Sequence, residues 1–244
     1  MKKAVFHWSG GKDSAMALHQ VLKDKSYEVL MLLTSLSQEY DRVSMHGVRK
    51  ELLYKQVELL DIPLDTLYLP SGVSMASYDL LMEEKLKSFQ KKGIAYAIYG
   101  DIFLEDLRRY REVKLAQVGM QGVFPLWKKD TRALLEEFIE LGFKAVVVCT
   151  NARLLDESFV GRVIDASFIR DLPLGVDPAG ENGEFHSFVF DGPIFSEPIP
   201  IQIGEKILRS YASDSAEESS VNWDQKFWYC DLMLCECQHT LSAK

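Results

Sequence analysis

The sequence predicts an α/β fold: a parallel sheet with helices on both faces, followed by a smaller α+β part. Three observations lead there. Strand-like and helix-like segments alternate to about residue 150, the rhythm of consecutive β-α-β units. Several strand segments, such as residues 29–33, are unbroken apolar runs, as expected of strands covered on both faces. Beyond about residue 150 the alternation ends and turn-formers crowd the chain, which sets a boundary between residues 1–150 and 151–244.

Residues 4–8 form a short apolar strand, after which Ala15, Leu18, Val21 and Leu22 recur at helical spacing. Residues 29–33 form the second strand. A helix over 48–60 is marked by Leu52, Leu53, Gln56, Leu59 and Leu60 and stops at Ile62-Pro63. A strand at 66–69 precedes a helix over 77–91 that ends near Gly93. The strand at 94–99 is closed by Gly100-Asp101, and a polar helix follows over 105–118. Residues 122–126 read as strand, Asp130-Thr131 caps a helix to Leu141, and 145–149 is a further buried strand. In the second part, 163–172 reads as one helix and 185–190 and 223–234 as strands. The acidic, serine-rich residues 213–220 read as an exposed loop.

Between the first strand and helix lies Ser9-Gly10-Gly11-Lys12-Asp13-Ser14. A strand, a tight turn and a helix N-terminus together make an anion site, because the first helical N–H groups have no partner within the helix. The glycines allow close approach of a phosphate, Lys12 adds positive charge, and Ser9 and Ser14 add hydroxyls. A Walker A loop is excluded: Phe6 stands where its first glycine belongs and Asp13 where its Ser or Thr belongs. No G-x-G-x-x-G fingerprint is present either. Asp13, beside bound phosphates, is a candidate Mg²⁺ ligand, and Gly100-Asp101 ends a strand on the same side of the sheet.

The bulk numbers narrow the function class. The chain has 244 residues and a net charge of −8, which argues against a broad nucleic-acid surface. No apolar run is long enough to span a membrane, and with no targeting segment and few cysteines the expected compartment is the cytoplasm. Cys230, Cys235, Cys237 and His239 match no usual zinc spacing and read as packing residues. His7 and His19 read as packing residues too, and Arg108, Arg109 and Arg111 as a solvated helical face.

The second polar constellation spans residues 175–187, where Asp177, Glu181, Asn182, Gly183, Glu184 and His186 lie in a glycine-punctuated loop entering a strand. On that strand Glu184 and His186 are expected on one face with Phe185 opposite, a pairing suited to proton transfer. The G-x-S-x-G and H-E-x-x-H motifs are absent.

These motifs resemble a known family. SGGKDS at 9–14 is similar to the loop of the PP-loop ATP pyrophosphatases, in the adenine nucleotide alpha hydrolase-like superfamily. Ser44-Met45-His46-Gly47, Gly100-Asp101-Ile102, Phe124-Pro125-Leu126-Trp127 and residues 175–188 resemble the diphthine–ammonia ligases, in their short prokaryotic branch. Glu181-Asn182-Gly183-Glu184-Phe185-His186 is the most specific element; Ala179 and Ser187 depart from the Cys and Thr common there.

The resemblance implies a Rossmann-like (HUP-type) sheet and an AMP-forming, ATP-dependent carbon–nitrogen ligase. ATP would be bound by Ser9, Gly10, Gly11, Lys12, Asp13, Ser14, His46, Gly100 and Asp101, with Mg²⁺ at Asp13. Lys12, Asp13, Glu184 and His186 would be catalytic, and Glu181, Asn182, Gly183 and Glu184 would bind the substrate. The implied partners are ATP, ammonia and, as acceptor, the diphthine of elongation factor 2; a homodimer is possible. Two alternatives share the nucleotide site: a regulatory module that binds ATP without turnover, and a tRNA-thiolating enzyme using Cys149.

Overall fold

The structure, a computed structural model, describes residues 1–43, 47–211 and 225–235. His46, Cys237, His239 and the acidic stretch at 213–220 therefore lie outside the described residues. The elements run β1 (Lys2–His7), α1 (Lys12–Asp24), β2 (Tyr27–Ser37), β3 (Arg42–Val43), α2 (Lys50–Leu60), β4 (Leu64–Leu69), α3 (Met75–Lys91) and β5 (Tyr96–Ile98). They continue with α4 (Glu105–Gln117), β6 (Gln121–Val123), α5 (Thr131–Glu140), β7 (Lys144–Asn151), α6 (Ala166–Asp171), β8 (Phe185–Asp191), β9 (Ile201–Tyr211) and β10 (Gln225–Leu234).

Two sheets result. In the first, β1 is central, with β2 and then β4 on one side and β5 and then β6 on the other, all parallel; β3 joins the end of β2 antiparallel. The second sheet is antiparallel throughout, in the order β8-β7-β10-β9.

Alternation along β1 sends Phe6 and Val5 to opposite faces. Phe6 joins α1 and α2 in a core that runs without interruption into Val146, Phe185 and Phe188 of the second sheet. Val5 meets Leu86 and Phe89 of α3 and Leu115 of α4 in a second core. The parallel, Rossmann-like sheet is thus covered on both faces, and the smaller antiparallel sheet shares one of its cores.

Three sequence expectations need correction. Residues 145–149 lie in β7, which pairs antiparallel with β8 and β10, so the second sheet starts at Lys144. A buried antiparallel strand carries the same apolar run as a parallel one, and composition does not separate them. The helix expected over 163–172 is only Ala166–Asp171, because Asp165 caps it by accepting from the Phe168 N–H at 2.8 Å, while Val163 bridges to Val146. Strand β9 was not expected at all; Glu205 and Lys206 interrupt its apolar positions behind Pro198 and Pro200.

Candidate functional site

The turn after β1 is held from three sides. Trp8 N–H extends the strand to the Leu33 carbonyl at 2.9 Å, and Gly10 then turns with a φ of +78°. A Cβ at Gly10 would stand 2.6 Å from Gln56 Oε1, so glycine is required on both counts. The Gly10 carbonyl accepts from Gln56 Nε2 and from Val189 N–H, each at 2.9 Å. Gln56 is fully buried; it also donates to the Val189 carbonyl at 2.7 Å and accepts from Trp8 Nε1 at 3.1 Å. Sequence reading placed Gln56 among the apolar positions of α2, and its polarity on that buried face was the available signal.

Inside the turn, Ser9 Oγ accepts from Gly11 N–H at 3.3 Å and lies 3.1 Å from Ser14 Oγ, which caps back to the Gly11 carbonyl at 2.9 Å. Lys12 N–H donates to Ser187 Oγ at 3.1 Å, which ties the start of α1 to β8. The Lys12 side chain is buried, with Nζ 2.8 Å from Asp13 Oδ2 and 5.0 Å from the centre of the Phe185 ring. Just beyond β5, a Cβ at Gly100 would lie 3.0 Å from the Asp13 carbonyl and Ser14 nitrogen, so only glycine lets the chain leave β5 so close to the helix start.

These residues open onto one cleft of about 710 Å³. It is lined by Ser9, Gly11, Lys12, Asp13 and Ser14, by Gly100 and Asp101, and by Glu181, Asn182, Gly183 and His186. The first strand and the 175–187 loop, far apart in sequence, are therefore brought together.

Charge in the cleft is arranged in pairs. Burial pushes the Asp13 carboxyl above its usual range, against the pull of Lys12. Asp101 is also pushed up by burial, opposed by Arg111, whose Nε lies 2.8 Å from Oδ2 as a charge contact rather than an aligned hydrogen bond. The Arg111 guanidinium also sits 4.2 Å from the Tyr99 ring centre. Sequence reading assigned Arg111 to a solvated face; the structure turns it into the cleft instead. Glu181 takes the Ile102 N–H at 2.8 Å, and burial, then repulsion from Asp13, push its carboxyl up to about 7. His186 is pushed down to about 4 by burial and by Lys12, and His7 to about 3 by burial and by Arg111, so both imidazoles are neutral at pH 7.

Glu184 is placed differently from its expected face beside His186. Its Oε1 accepts from Asp177 N–H at 3.0 Å and Asn182 Nδ2 at 3.1 Å, and the side chain does not line the cleft. Phe185 takes the position facing Lys12. Asp177 completes the loop by accepting from the Ala179 and Glu181 N–H groups and from Thr131 Oγ1. Among the described residues no three His, Cys, Asp or Glu side chains are grouped to hold a metal ion, and no helix is long and apolar enough to cross a membrane. Cys230 is buried and Cys235 exposed.

Two family models match the chain: the diphthamide synthase N-terminal domain over residues 1–122 and the diphthamide synthase C-terminal domain over residues 130–233. A protein of Danio rerio named diphthine–ammonia ligase is 25% identical over 227 residues, 83% of this chain and 87% of the relative. The Bos taurus protein of the same name is 28% identical over 133 residues, 52% of this chain and 50% of the relative. That of Schizosaccharomyces pombe is 24% identical over 221 residues, 83% of this chain but 36% of a longer relative. With both domain models matched in order across a loop, a strand end and a distant polar segment that meet in one cleft, the chain belongs to the diphthamide synthase family.

Proposed function

We propose that this protein is an ATP-dependent ligase that adenylates a carboxylate and passes the acyl group to ammonia. A carboxylate oxygen attacks the α-phosphorus and the bond to the β-phosphate oxygen breaks, releasing pyrophosphate. Ammonia then attacks the acyl carbon, loses a proton, and AMP leaves. By analogy with the relatives' name, the acceptor is diphthine, presented on elongation factor 2. The observation that carries this reading is the meeting of the Lys12 loop, Asp101, Glu181 and His186 around one cleft at the C-terminal ends of β1 and β5.

Lys12 and the first N–H groups of α1 stabilise negative charge growing on the phosphates. Asp13 and Asp101 carry hard oxygen donors whose ionisation burial disfavours, a donor set that a Mg²⁺ ion suits. When bound, Mg²⁺ would supply charge neutralisation of the polyphosphate. Glu181, near 7, is the better base for ammonium; His186, near 4, is a neutral group that orients the reacting carboxyl. Glu184 acts through the loop, as a positioning residue.

Of the alternatives, sulfur transfer loses support at Cys149, whose buried thiol is pushed up to about 12 and so resists forming the thiolate. The test uses ATP labelled at the α-phosphate, with Mg²⁺, ammonium and diphthine-bearing elongation factor 2. Acceptor-dependent AMP is expected; ADP with no AMP refutes the proposal.

A further inference from the structure

A second cavity of about 500 Å³ adjoins the nucleotide cleft, and His186 and Val43 line both. Its walls come from the end of β2 and the turn beyond it (Ser37, Tyr40), from β9 (Ile207, Arg209) and from β10 (Phe227, Tyr229). It is therefore built largely by the antiparallel sheet, with His186 at its junction with the nucleotide cleft. We propose that this cavity is the acceptor site: it takes a carboxylate-bearing side chain presented by a protein and delivers its carboxyl past His186 to the α-phosphate.

Three features argue for that occupant. The first is continuity, since a reacting carboxyl must reach the nucleotide from a space that the nucleotide does not fill, and the two cavities share a wall. The second is charge. Asp231 is engaged by Arg49 at 2.6 Å and by Arg42 at 3.0 Å, so the only carboxylate lining the cavity among the described residues is neutralised twice over. Arg209 lines the same cavity and forms no ion pair with any described residue. Among the described lining residues the excess is positive, which draws the acceptor's carboxylate. The third is the set of rings: Tyr40, Phe227 and Tyr229 give a flat, apolar body a surface to lie against while its carboxyl points inward. The neutral imidazole of His186 at the junction can donate one N–H hydrogen bond to that carboxylate without adding charge.

The proposal rests on the ligase reading, and the test separates the two. Two exposed positions are changed, Arg209→Glu and Tyr40→Ala, so that folding is not at stake. Binding of diphthine-bearing elongation factor 2 is measured by calorimetry without nucleotide, and AMP formation is measured separately against ATP and acceptor concentration. At least one variant should weaken acceptor binding, and raise the acceptor KM, by about tenfold with the ATP KM unchanged. Unchanged acceptor binding and KM in both variants overturns the site while leaving the ligase reading intact. Weakened binding in a protein that forms no AMP overturns the ligase reading and keeps the site. Failure of the unchanged protein both to bind the acceptor and to form AMP overturns both.

Discussion

Gln56→Leu tests how the turn at residues 9–14 is held. Gln56 is fully buried and makes three hydrogen bonds, accepting from Trp8 Nε1 and donating to the carbonyls of Gly10 and Val189. Leucine fills nearly the same space and offers no polar atom. The Gly10 carbonyl keeps its bond from Val189 N–H, so two groups lose their partner: the indole N–H and the Val189 carbonyl. Each buried, unsatisfied group costs about 1–3 kcal/mol. The two together cost about 2–6 kcal/mol, and better apolar packing around the leucine cuts this by about a third, to about 1.5–4 kcal/mol. At about 2–4 °C per kcal/mol for a chain of this size, Tm falls by roughly 3–16 °C. Gln56→Glu should be at least as harmful, because it sets carboxylate oxygen against two carbonyls where the amide donates to both. Thermal unfolding followed by circular dichroism checks the stability, and ATP titration checks the turn, with the exposed Glu51→Ala in the same helix as control. If Gln56→Leu melts within about 2 °C of the unchanged protein and binds ATP equally well, the clamp has no energetic role.

Lys12→Ala removes the cation proposed to meet the phosphates and should lower AMP release by at least about 100-fold with Tm little changed, read by thin-layer chromatography of labelled nucleotides; full turnover would place the chemistry elsewhere. Glu181→Gln bears on proton transfer. In the unchanged protein the ligase rate should drop as pH falls through about 7 and Glu181 takes up a proton, and the variant should be slow with that limb absent. The stability sign is opposite to that of a salt-bridged acid. Because the folded carboxyl holds its proton up to about 7 and the unfolded one only to its ordinary 4.5, the folded state binds more protons between them. Glu181 therefore removes stability as pH rises through that window, and the Gln variant should melt higher at pH 8 than the unchanged protein; equal pH slopes in the two proteins refute this. Gly100→Ala should weaken ATP binding by about tenfold or more, since its Cβ meets the Asp13 and Ser14 backbone at 3.0 Å and must displace the helix start; unchanged affinity in calorimetry would show that the strand end can yield. Chelation of Mg²⁺ should weaken ATP binding by a similar factor, checked by titration with and without excess chelator.

Some of this was legible in the chain because local rules set it. The turn at 9–14 announces itself through the switch from strand to helix periodicity around adjacent glycines, and Gly100-Asp101 through its place at a strand end. What the sequence withheld depends on neighbours in space. The apolar run of β7 is the same whether its partners are parallel or antiparallel, and only the register with β8 and β10 decides. Arg111 has the sequence surroundings of a solvated helix; it turns inward because Tyr99 offers a ring and Asp101 a charge, both in the segment between β5 and α4. Glu184 and His186, two residues apart, suggest one face, but the backbone leaves strand geometry before Phe185, and the glutamate is free to close the loop on Asp177 and Asn182.

That last difference changes which acid the chemistry would use. Glu184 already accepts two hydrogen bonds inside its loop, so proton transfer from it would require the loop to loosen at the moment it must hold Glu181 and His186 in place. Glu181 has no such conflict. Its Oε1 is anchored by a single backbone N–H from Ile102, and the carboxyl faces the cleft where burial, and then Asp13, raise its proton affinity. Lys12 and Asp13 balance each other, as do Arg111 and Asp101, which leaves Glu181 as the cleft's one acid without a dedicated cation within ion-pair distance among the described residues. An acid in that position loses its proton near neutrality and takes one up again from ammonium at little cost in charge, which is what a base working beside a polyphosphate requires.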